Sequence, residues 1–174
     1  ARPGAAVNVR RAPRGRAYRL VRVNSAEKHG YTREEYDLLM DATAAVLLAS
    51  SSADATGPAA SFEEMTAAGK YLYDARQRYP DNRLIAQLQE MPATDDSVDA
   101  EGDRITREQL LARIGEAASV LRTDEEGMEF REFLYGLATR VAKASRSSWF
   151  GPRISEEAAR FLEKLRGVLG VGEP

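Results

Sequence analysis

From about residue 31 onward, apolar residues recur every three or four positions, the spacing that places them on one face of a helix. Six segments carry this spacing, and the body of the chain has no clear strand run. We therefore predict helices over about 32–48, 61–79, 82–90, 106–121, 123–144 and 155–169. In the last three, we expect these residues to face inward: Leu110, Ile114, Ala117, Ala118, Leu121, Phe130, Phe133, Leu134, Leu137, Val141, Ala158, Phe161, Leu162, Leu165 and Leu169.

The first two predicted helices have different patterns. The helix over 32–48 becomes apolar nearly all round, which favours a central, buried position. The helix over 61–79 has large apolar residues and one glycine at helical spacing: Phe62, Met65, Gly69, Leu72 and Tyr73.

Helix ends are marked by capping residues. Thr32 with Glu35, and Ser61 with Glu64, have the spacing of a capping box, in which a hydroxyl and a carboxylate each accept from a free backbone amide. Ser155 is expected to cap the last helix, and Gly170 to end it. We predict loops over 50–60, 91–103 and 145–154.

The helical pattern occurs twice along the chain. The run from Thr32-Arg33-Glu34-Glu35 to Ala44-Ala45-Val46-Leu47 matches the run from Thr106-Arg107-Glu108-Gln109 to Ala118-Ser119-Val120-Leu121 at an offset of 74. A second pair of matching segments follows at an offset of 62. The first segment opens with Ser61-Phe62-Glu63-Glu64 and leads to Lys70-Tyr71-Leu72-Tyr73, and the second opens with Thr123-Asp124-Glu125-Glu126 and leads to Glu132-Phe133-Leu134-Tyr135. A duplicated helical unit with one changed loop length produces this pattern.

These patterns together predict an all-α fold. We expect a compact six-helix domain over 31–170, made of two similar three-helix halves at about 31–91 and 104–170. An extended basic arm over 1–30 precedes it, and a short tail over 171–174 follows it.

Charge separates the arm from the body. Residues 1–30 hold eight basic side chains against Glu27, a net charge of +7, whereas residues 31–174 hold 17 basic and 26 acidic side chains, a net charge of −9. The chain has no Cys, which excludes disulfides, thiolate metal sites and a cysteine nucleophile. Its longest apolar run, Ala44 to Ala49, is far shorter than the ~20 residues that span a bilayer. We expect a cytoplasmic protein, or an organellar one if the arm follows a removed transit peptide.

In both halves, a helix ending in small and apolar residues is followed by a loop and then by a serine with acidic residues. These elements are Leu47-Leu48-Ala49 before Ser61-Phe62-Glu63-Glu64-Met65, and Val141-Ala142-Lys143-Ala144 before Ile154-Ser155-Glu156-Glu157. The arrangement resembles the TerB-like family, the all-helical domain associated with tellurite resistance, over residues 31–170. In this register Ser61 corresponds to Ser155, whereas the internal repeat pairs Ser61 with Thr123, and the two registers exclude each other.

The resemblance implies acidic turns that bind divalent cations, but the turns of this chain depart from that pattern. The first, residues 53–58, has the single carboxylate of Asp54, and the second, residues 147–152, has none. A hard divalent cation takes about six oxygen ligands, several of them usually carboxylates. Cation binding would therefore need acids from separate loops to converge: Asp54, Asp95, Asp96, Asp99, Glu101 and Asp103.

One acidic segment is similar to the start of an EF-hand calcium loop. Asp99, Glu101 and Asp103 occupy the first, third and fifth ligand positions. Arg104 stands where the loop needs glycine, and Leu110 where it needs a bidentate glutamate. We therefore favour a solvated acidic linker and predict no metal site and no cofactor. The sequence identifies no small-molecule substrate.

The basic arm and one aromatic pair are the candidate binding elements. The arm carries Arg10, Arg11, Arg14, Arg16, Arg19 and Arg22. It can lie along an acidic partner protein, bind an anionic surface such as nucleic acid or a membrane, or serve as a solubilising tail. Trp149-Phe150, in a predicted loop, can anchor in a partner's pocket or fold back over the core.

No catalytic constellation is evident. His29 is the only histidine and has no evident nucleophile nearby. The paired glutamates at 63–64 and 156–157 fall in the first turns of predicted helices, where carboxylates stabilise free amides. We predict a non-enzymatic interaction or structural subunit that docks into a larger complex through the arm and Trp149-Phe150. The alternatives are a divalent-cation-binding stress-response domain of the TerB-like type and a peripheral binder of membrane or nucleic acid.

Overall fold

The structure is a computed structural model that describes residues 30–51, 58–90, 105–144, 147–148, 151–152 and 154–172. This part of the chain forms six α-helices and a pair of two-residue strands, which confirms the all-α prediction. The elements are α1 (Arg33–Ser51), α2 (Pro58–Arg78), α3 (Arg83–Glu90), α4 (Arg107–Val120), α5 (Glu125–Ala144), β1 (Ser147–Ser148), β2 (Gly151–Pro152) and α6 (Glu156–Leu169).

Helices α1 and α5 form the centre of the bundle. Helix α1 packs most extensively on α4 and also on α5, while α5 contacts α2, α3 and α6 as well. The helices that the internal repeat pairs, α1 with α4 and α2 with α5, are therefore also the most closely packed pairs. The division into two similar halves remains a prediction.

The inward faces predicted for α4, α5 and α6 are confirmed. All fifteen of the residues named for these faces are buried. Phe130 and Phe133 lie at the middle of α5 with ring centroids 5.8 Å apart, and both are fully buried. Helical periodicity was sufficient to predict the buried residues of these helices, because each of them has only one apolar face.

The capping box predicted at the start of α1 is confirmed. The Thr32 amide donates to Glu35 Oε2 at 2.7 Å, and the Glu35 amide donates to Thr32 Oγ1 at 3.3 Å. The hydrogen bond from the Thr32 amide lowers the pKa of the Glu35 carboxyl below its ordinary value of 4.5. This contribution to stability is therefore present above pH 4.5 and is lost as the pH falls through the folded-state pKa.

Helix α4 begins with an equivalent capping box, in which Gln109 stands where α1 has the titratable Glu35. There the Thr106 amide donates to Gln109 Oε1 at 2.7 Å, and the Gln109 amide donates to Thr106 Oγ1 at 3.2 Å. The two boxes have the same geometry, and only the one on α1 depends on pH.

The predicted cap of the last helix is confirmed. Ser155 Oγ accepts from the Ala158 amide at 3.0 Å, and α6 ends at Gly170 in the left-handed conformation, with φ 66°. Glycine adopts this conformation without steric cost.

The predicted start of α2 was wrong. The helix begins at Pro58, so Ser61 lies inside it and does not cap it. Proline suits the first turn of a helix because its fixed φ is helical and its missing amide hydrogen would have no partner there.

Three further expectations are corrected. Helix α1 extends to Ser51, past the predicted end near residue 48, and the hydroxyl of Ser50 donates back to the Val46 carbonyl at 2.6 Å. Helix α1 is central but not buried all round, because Leu48 is 53% exposed. The predicted loop 145–154 contains the antiparallel pair of β1 and β2, in which Ser147 pairs with Pro152 and Ser148 with Gly151.

Candidate interaction surface

Helix α2 presents three large apolar side chains to solvent. Phe62 is 74% exposed, Met65 is 75% exposed and Tyr73 is 74% exposed. They follow one another at helical spacing, with the exposed Gly69 between Met65 and Tyr73. These four residues are referred to below as the outward face of α2.

The opposite side of α2 is the one that packs. Glu64, Ala68, Tyr71 and Ala75 are buried there, at positions i, i+4, i+7 and i+11. This second stripe meets α5, which is the main packing partner of α2. The sequence interpretation identified the spacing of the outward face but missed the second stripe, whose period was equally readable.

Tyr71 determines which side of α2 faces inward. Its ring stacks on the Phe133 ring, with the two centroids 5.8 Å apart. The Arg78 guanidinium lies over the Tyr71 ring, 5.1 Å from its centroid. Its hydroxyl occupies the space that a side chain at Gly136 would need, so the two helices approach closely only because residue 136 has no Cβ. Burying this ring against α5 directs Phe62 and Tyr73 away from the core.

The end of α2 is held by a partly buried tyrosine that packs against the core. Tyr79 follows the helix, and its amide donates to the Ala75 carbonyl at 2.8 Å. Burial, with the neighbouring Tyr71 and Glu132 acting in the same direction, raises the pKa of the Tyr79 hydroxyl to about 12. The neutral phenol is therefore part of the packing between α2 and α5.

Helix α3 holds the same end of α2 against the start of α5. Asn82 is 1% exposed; its Oδ1 accepts from the Ile85 amide at 3.1 Å and so caps α3. Its Nδ2 donates to the Glu126 carbonyl at 2.9 Å and to Glu129 Oε2 at 3.0 Å. Arg83 pairs with the Glu126 carboxylate at 3.0 Å. The outward face of α2 therefore lies on a firmly attached helix.

Other exposed large apolar side chains in the described residues are scattered. Leu48, Ile105, Met128 and Val168 are between 36% and 53% exposed and lie on different elements. Isolated exposed apolar residues are ordinary on protein surfaces, whereas Phe62, Met65 and Tyr73 lie together on one helical face.

The last residue of the basic arm, Gly30, is held against the body of the chain. The Arg122 guanidinium lies 5.1 Å from the centroid of the Tyr31 ring and donates to the Gly30 carbonyl. The Arg122 amide donates to the Tyr31 hydroxyl at 3.3 Å, and Tyr31 is 5% exposed. Residue 30 is therefore held at the junction between α4 and α5.

The binding residues predicted from the sequence lie outside the described residues. This applies to the arm arginines Arg10, Arg11, Arg14, Arg16, Arg19 and Arg22, to Trp149 and Phe150, and to the acids Asp54, Asp95, Asp96, Asp99, Glu101 and Asp103. His29 is also outside them. The predictions made for these residues stay predictions.

Within the described residues, no group of three or more His, Cys, Asp or Glu is placed to hold a metal ion. None of the helices in this part of the chain has the length and apolar character needed to cross a membrane.

Comparison with protein-family models, with curated proteins and with solved structures found no match. The resemblance to the TerB-like family therefore remains a prediction.

Proposed function

We propose that this chain is a non-enzymatic interaction subunit that docks into a larger assembly through the outward face of α2. The single observation that carries the proposal is the exposure of Phe62, Met65 and Tyr73 on one face of a helix whose other face is fully packed. In this proposal the basic arm and Trp149-Phe150 add contacts to the same partner.

The energetics favour an interface over an ordinary surface. Fully burying a Phe or Met side chain contributes about 1.5–3 kcal/mol relative to leaving it in water. The fold of the single chain does not gain this free energy of burial from Phe62 and Met65, because α2 is anchored by Tyr71, Ala68 and Ala75 instead. A partner that covers the outward face gains this free energy of burial. Aromatic residues are prominent among the side chains that dominate binding energy.

The attachment of residue 30 supports a role for the arm. Arg122 holds the Gly30 carbonyl at the junction of α4 and α5, so the arm starts from a firm position on the body. A chain with a net charge of +7 that starts from a defined point can follow an acidic groove on a partner.

The experiment is an affinity capture from a lysate of the source organism with four versions of the full chain. These are the unchanged chain, the double variant Phe62→Ser/Tyr73→Ser, an arm variant with Arg14, Arg16 and Arg19 changed to Gln, and the control Ile105→Ser/Met128→Ser. The control removes exposed apolar side chains that lie outside α2.

We expect the unchanged chain and the control to retain the same stoichiometric partner, and the α2 double variant to lose it. The arm variant should bind more weakly and show a reduced salt dependence. Equal retention by the α2 double variant and the unchanged chain would contradict the proposed surface, and an empty capture with every version would contradict the proposed function.

A further inference from the structure

One arginine of α5 holds the C-terminal ends of two other helices. The Arg131 guanidinium donates to the Ala118 carbonyl at 2.8 Å and to the Leu121 carbonyl at 3.1 Å, both at the end of α4. It also donates to the carbonyl of Leu169, the last residue of α6, at 2.9 Å. A single side chain therefore attaches the ends of α4 and α6 to α5.

The end of α4 has no cation and no glycine cap of its own. The last carbonyls of a helix lack partners within the helix and form the negative end of its dipole. The last turn of α4 contains no basic residue, and Leu121 caps it in an extended conformation. Arg131 therefore supplies from α5 both the donors and the positive charge that this end requires.

A guanidinium is suited to this position, whereas an ammonium is not. Its planar fork presents donors in fixed directions, so that it reaches carbonyls of two elements at once. In the part of the chain that the structure describes, Arg131 forms no ion pair with a carboxylate. Its charge is therefore balanced by the negative ends of α4 and α6.

The turn that follows α4 is seated closely on α5. A Cβ at Gly127 would overlap the Arg122 carbonyl oxygen, so the turn approaches α5 this closely only because residue 127 has no side chain. The Gly127 amide also donates to Asp124 Oδ1 at 2.9 Å. Gly127 precedes Arg131 by one helical turn and lies on the same side of α5. Both residues therefore hold the turn.

A single peptide unit of this turn links the start of the body to Arg131. The Arg122 amide donates to the Tyr31 hydroxyl at 3.3 Å, and the Leu121 carbonyl of the same peptide unit accepts from Arg131. The Arg122 guanidinium also holds the Gly30 carbonyl. Because a peptide unit is planar and stiff, a displacement at one of its hydrogen bonds displaces the other.

We propose that the turn after α4 is a joint that couples the entry of the basic arm to the C-terminal end of α6. The joint consists of residues 121–124, held on α5 by Gly127 and Arg131. A ligand that moves Gly30 displaces the peptide unit of Arg122, and with it the guanidinium that holds α6. Coupling between two sites is reciprocal, so loosening α6 also loosens the start of the body. The joint does not include the outward face of α2, so this inference and the proposed function fail separately.

The test is hydrogen exchange of the full chain, measured by mass spectrometry at the end of α4 (residues 119–122) and at the end of α6 (residues 168–171). Arg122→Met removes the side-chain contacts with Gly30 and with the Tyr31 ring. We expect this variant to speed exchange at the end of α6 at least about fivefold, the lower end of typical couplings between sites.

A double variant shows whether the effect passes through Arg131. Arg131→Lys keeps the charge but loses the fork, so it should by itself speed exchange at both helix ends. Adding Arg122→Met to Arg131→Lys should then produce no further change at the end of α6. In the reverse direction, Gly170→Ala strains the left-handed cap of α6 and should speed exchange of the Arg122 amide only when Arg131 is present.

Arg107→Met is the matched control. Arg107 also joins α6 to another helix, since its guanidinium pairs with the Glu157 carboxylate at 2.8 Å and lies 5.9 Å from the centroid of the Phe161 ring. These contacts are near the start of α6. The control should therefore speed exchange there and leave residues 119–122 and 168–171 unchanged.

Three results would overturn the inference. The first is unchanged exchange at the end of α6 in Arg122→Met. The second is an equal effect of Arg122→Met with Arg131 and with Arg131→Lys, because the coupling would then bypass the guanidinium. The third is faster exchange at both helix ends in Arg107→Met, because the body would then loosen as a whole. If Arg122→Met does not fold, Tyr31→Phe replaces it and the same outcomes decide, since this change removes only the hydroxyl that accepts from the Arg122 amide.

Discussion

Helices α2 and α5 lie against each other and are 21 and 20 residues long, yet they place their large apolar side chains in opposite ways. Helix α5 buries Phe130 and Phe133, while α2 buries alanines and one tyrosine and exposes Phe62 and Tyr73. A regular apolar stripe therefore identifies a helix but does not indicate what the stripe contacts. One helix uses its stripe to build the core, and the other presents it to solvent.

The strongest test of this difference is to remove one phenylalanine from each helix. Phe133→Ala should lower the free energy of unfolding by about 3–5 kcal/mol, because it leaves a cavity at the centre of the bundle. Phe62→Ala should change it by no more than about 0.5 kcal/mol, as expected for an exposed position. Urea unfolding measures both. Similar losses for the two variants would mean that Phe62 is packed in the free chain.

The second test adds one methyl group to a glycine of each helix. Gly136→Ala should destabilise by about 1–3 kcal/mol, because the Tyr71 hydroxyl occupies the space of the new Cβ. Gly69→Ala should stabilise the single chain by up to about 1 kcal/mol, because alanine is the better helix former and the space is open. Thermal unfolding of the two variants should therefore shift in opposite directions. A lower melting temperature for Gly69→Ala would contradict the open outward face.

An effect of similar size is expected where α3 holds α2 to α5. Asn82→Asp keeps the oxygen that caps α3 but loses the donor to the Glu126 carbonyl and places a carboxylate beside Glu129. We expect a loss of about 1–3 kcal/mol at pH 7 that decreases as the pH falls and the carboxylates are protonated. Chemical unfolding at pH 7 and pH 4 measures it. Equal losses at both pH values would show that charge repulsion plays no part.

A further effect is expected at alkaline pH, at the end of α2. The Tyr79 hydroxyl has an ordinary pKa of 10.0 and a folded-state pKa of about 12. Its contribution to stability is therefore complete below pH 10 and is lost as the pH rises towards 12, because the unfolded chain loses the proton first. Tyr79→Phe should flatten the stability profile in this window, whereas the exposed control Tyr73→Phe should leave it unchanged. A profile unaffected by Tyr79→Phe would place the alkaline transition elsewhere.

Much of the fold could be predicted because the groups that start and end the helices lie within a few residues of each other in the sequence. The hydroxyl of Thr32 and the carboxylate of Glu35 form their box within one helical turn, and Ser155 and Gly170 act over similarly short distances. The start of α2 was placed wrongly because Ser61 with Glu64 has the same spacing as a true capping box. Spacing alone does not distinguish a cap from an interior position when a proline three residues earlier can start the helix.

The candidate surface could not be predicted because it depends on a choice between two faces. Helix α2 has one stripe of large residues and another with Ala68, Tyr71 and Ala75, and periodicity ranks the large stripe first. The sequence also pointed to the arm and to Trp149-Phe150, which lie outside the described residues. Nothing in the spacing alone indicated that the strongest apolar stripe would remain exposed.

By itself, then, the sequence determined that this chain is helical, where most of its helices lie, and which faces of α4, α5 and α6 form the core. Those properties follow from helical periodicity and from capping groups a few residues apart. The orientation of α2, with Ala68, Tyr71 and Ala75 inward, depends on the tertiary structure. The physical reason is contact across the fold: Gly136 on α5 leaves room for Tyr71, Phe133 stacks on its ring, and that packing directs Phe62 and Tyr73 outward.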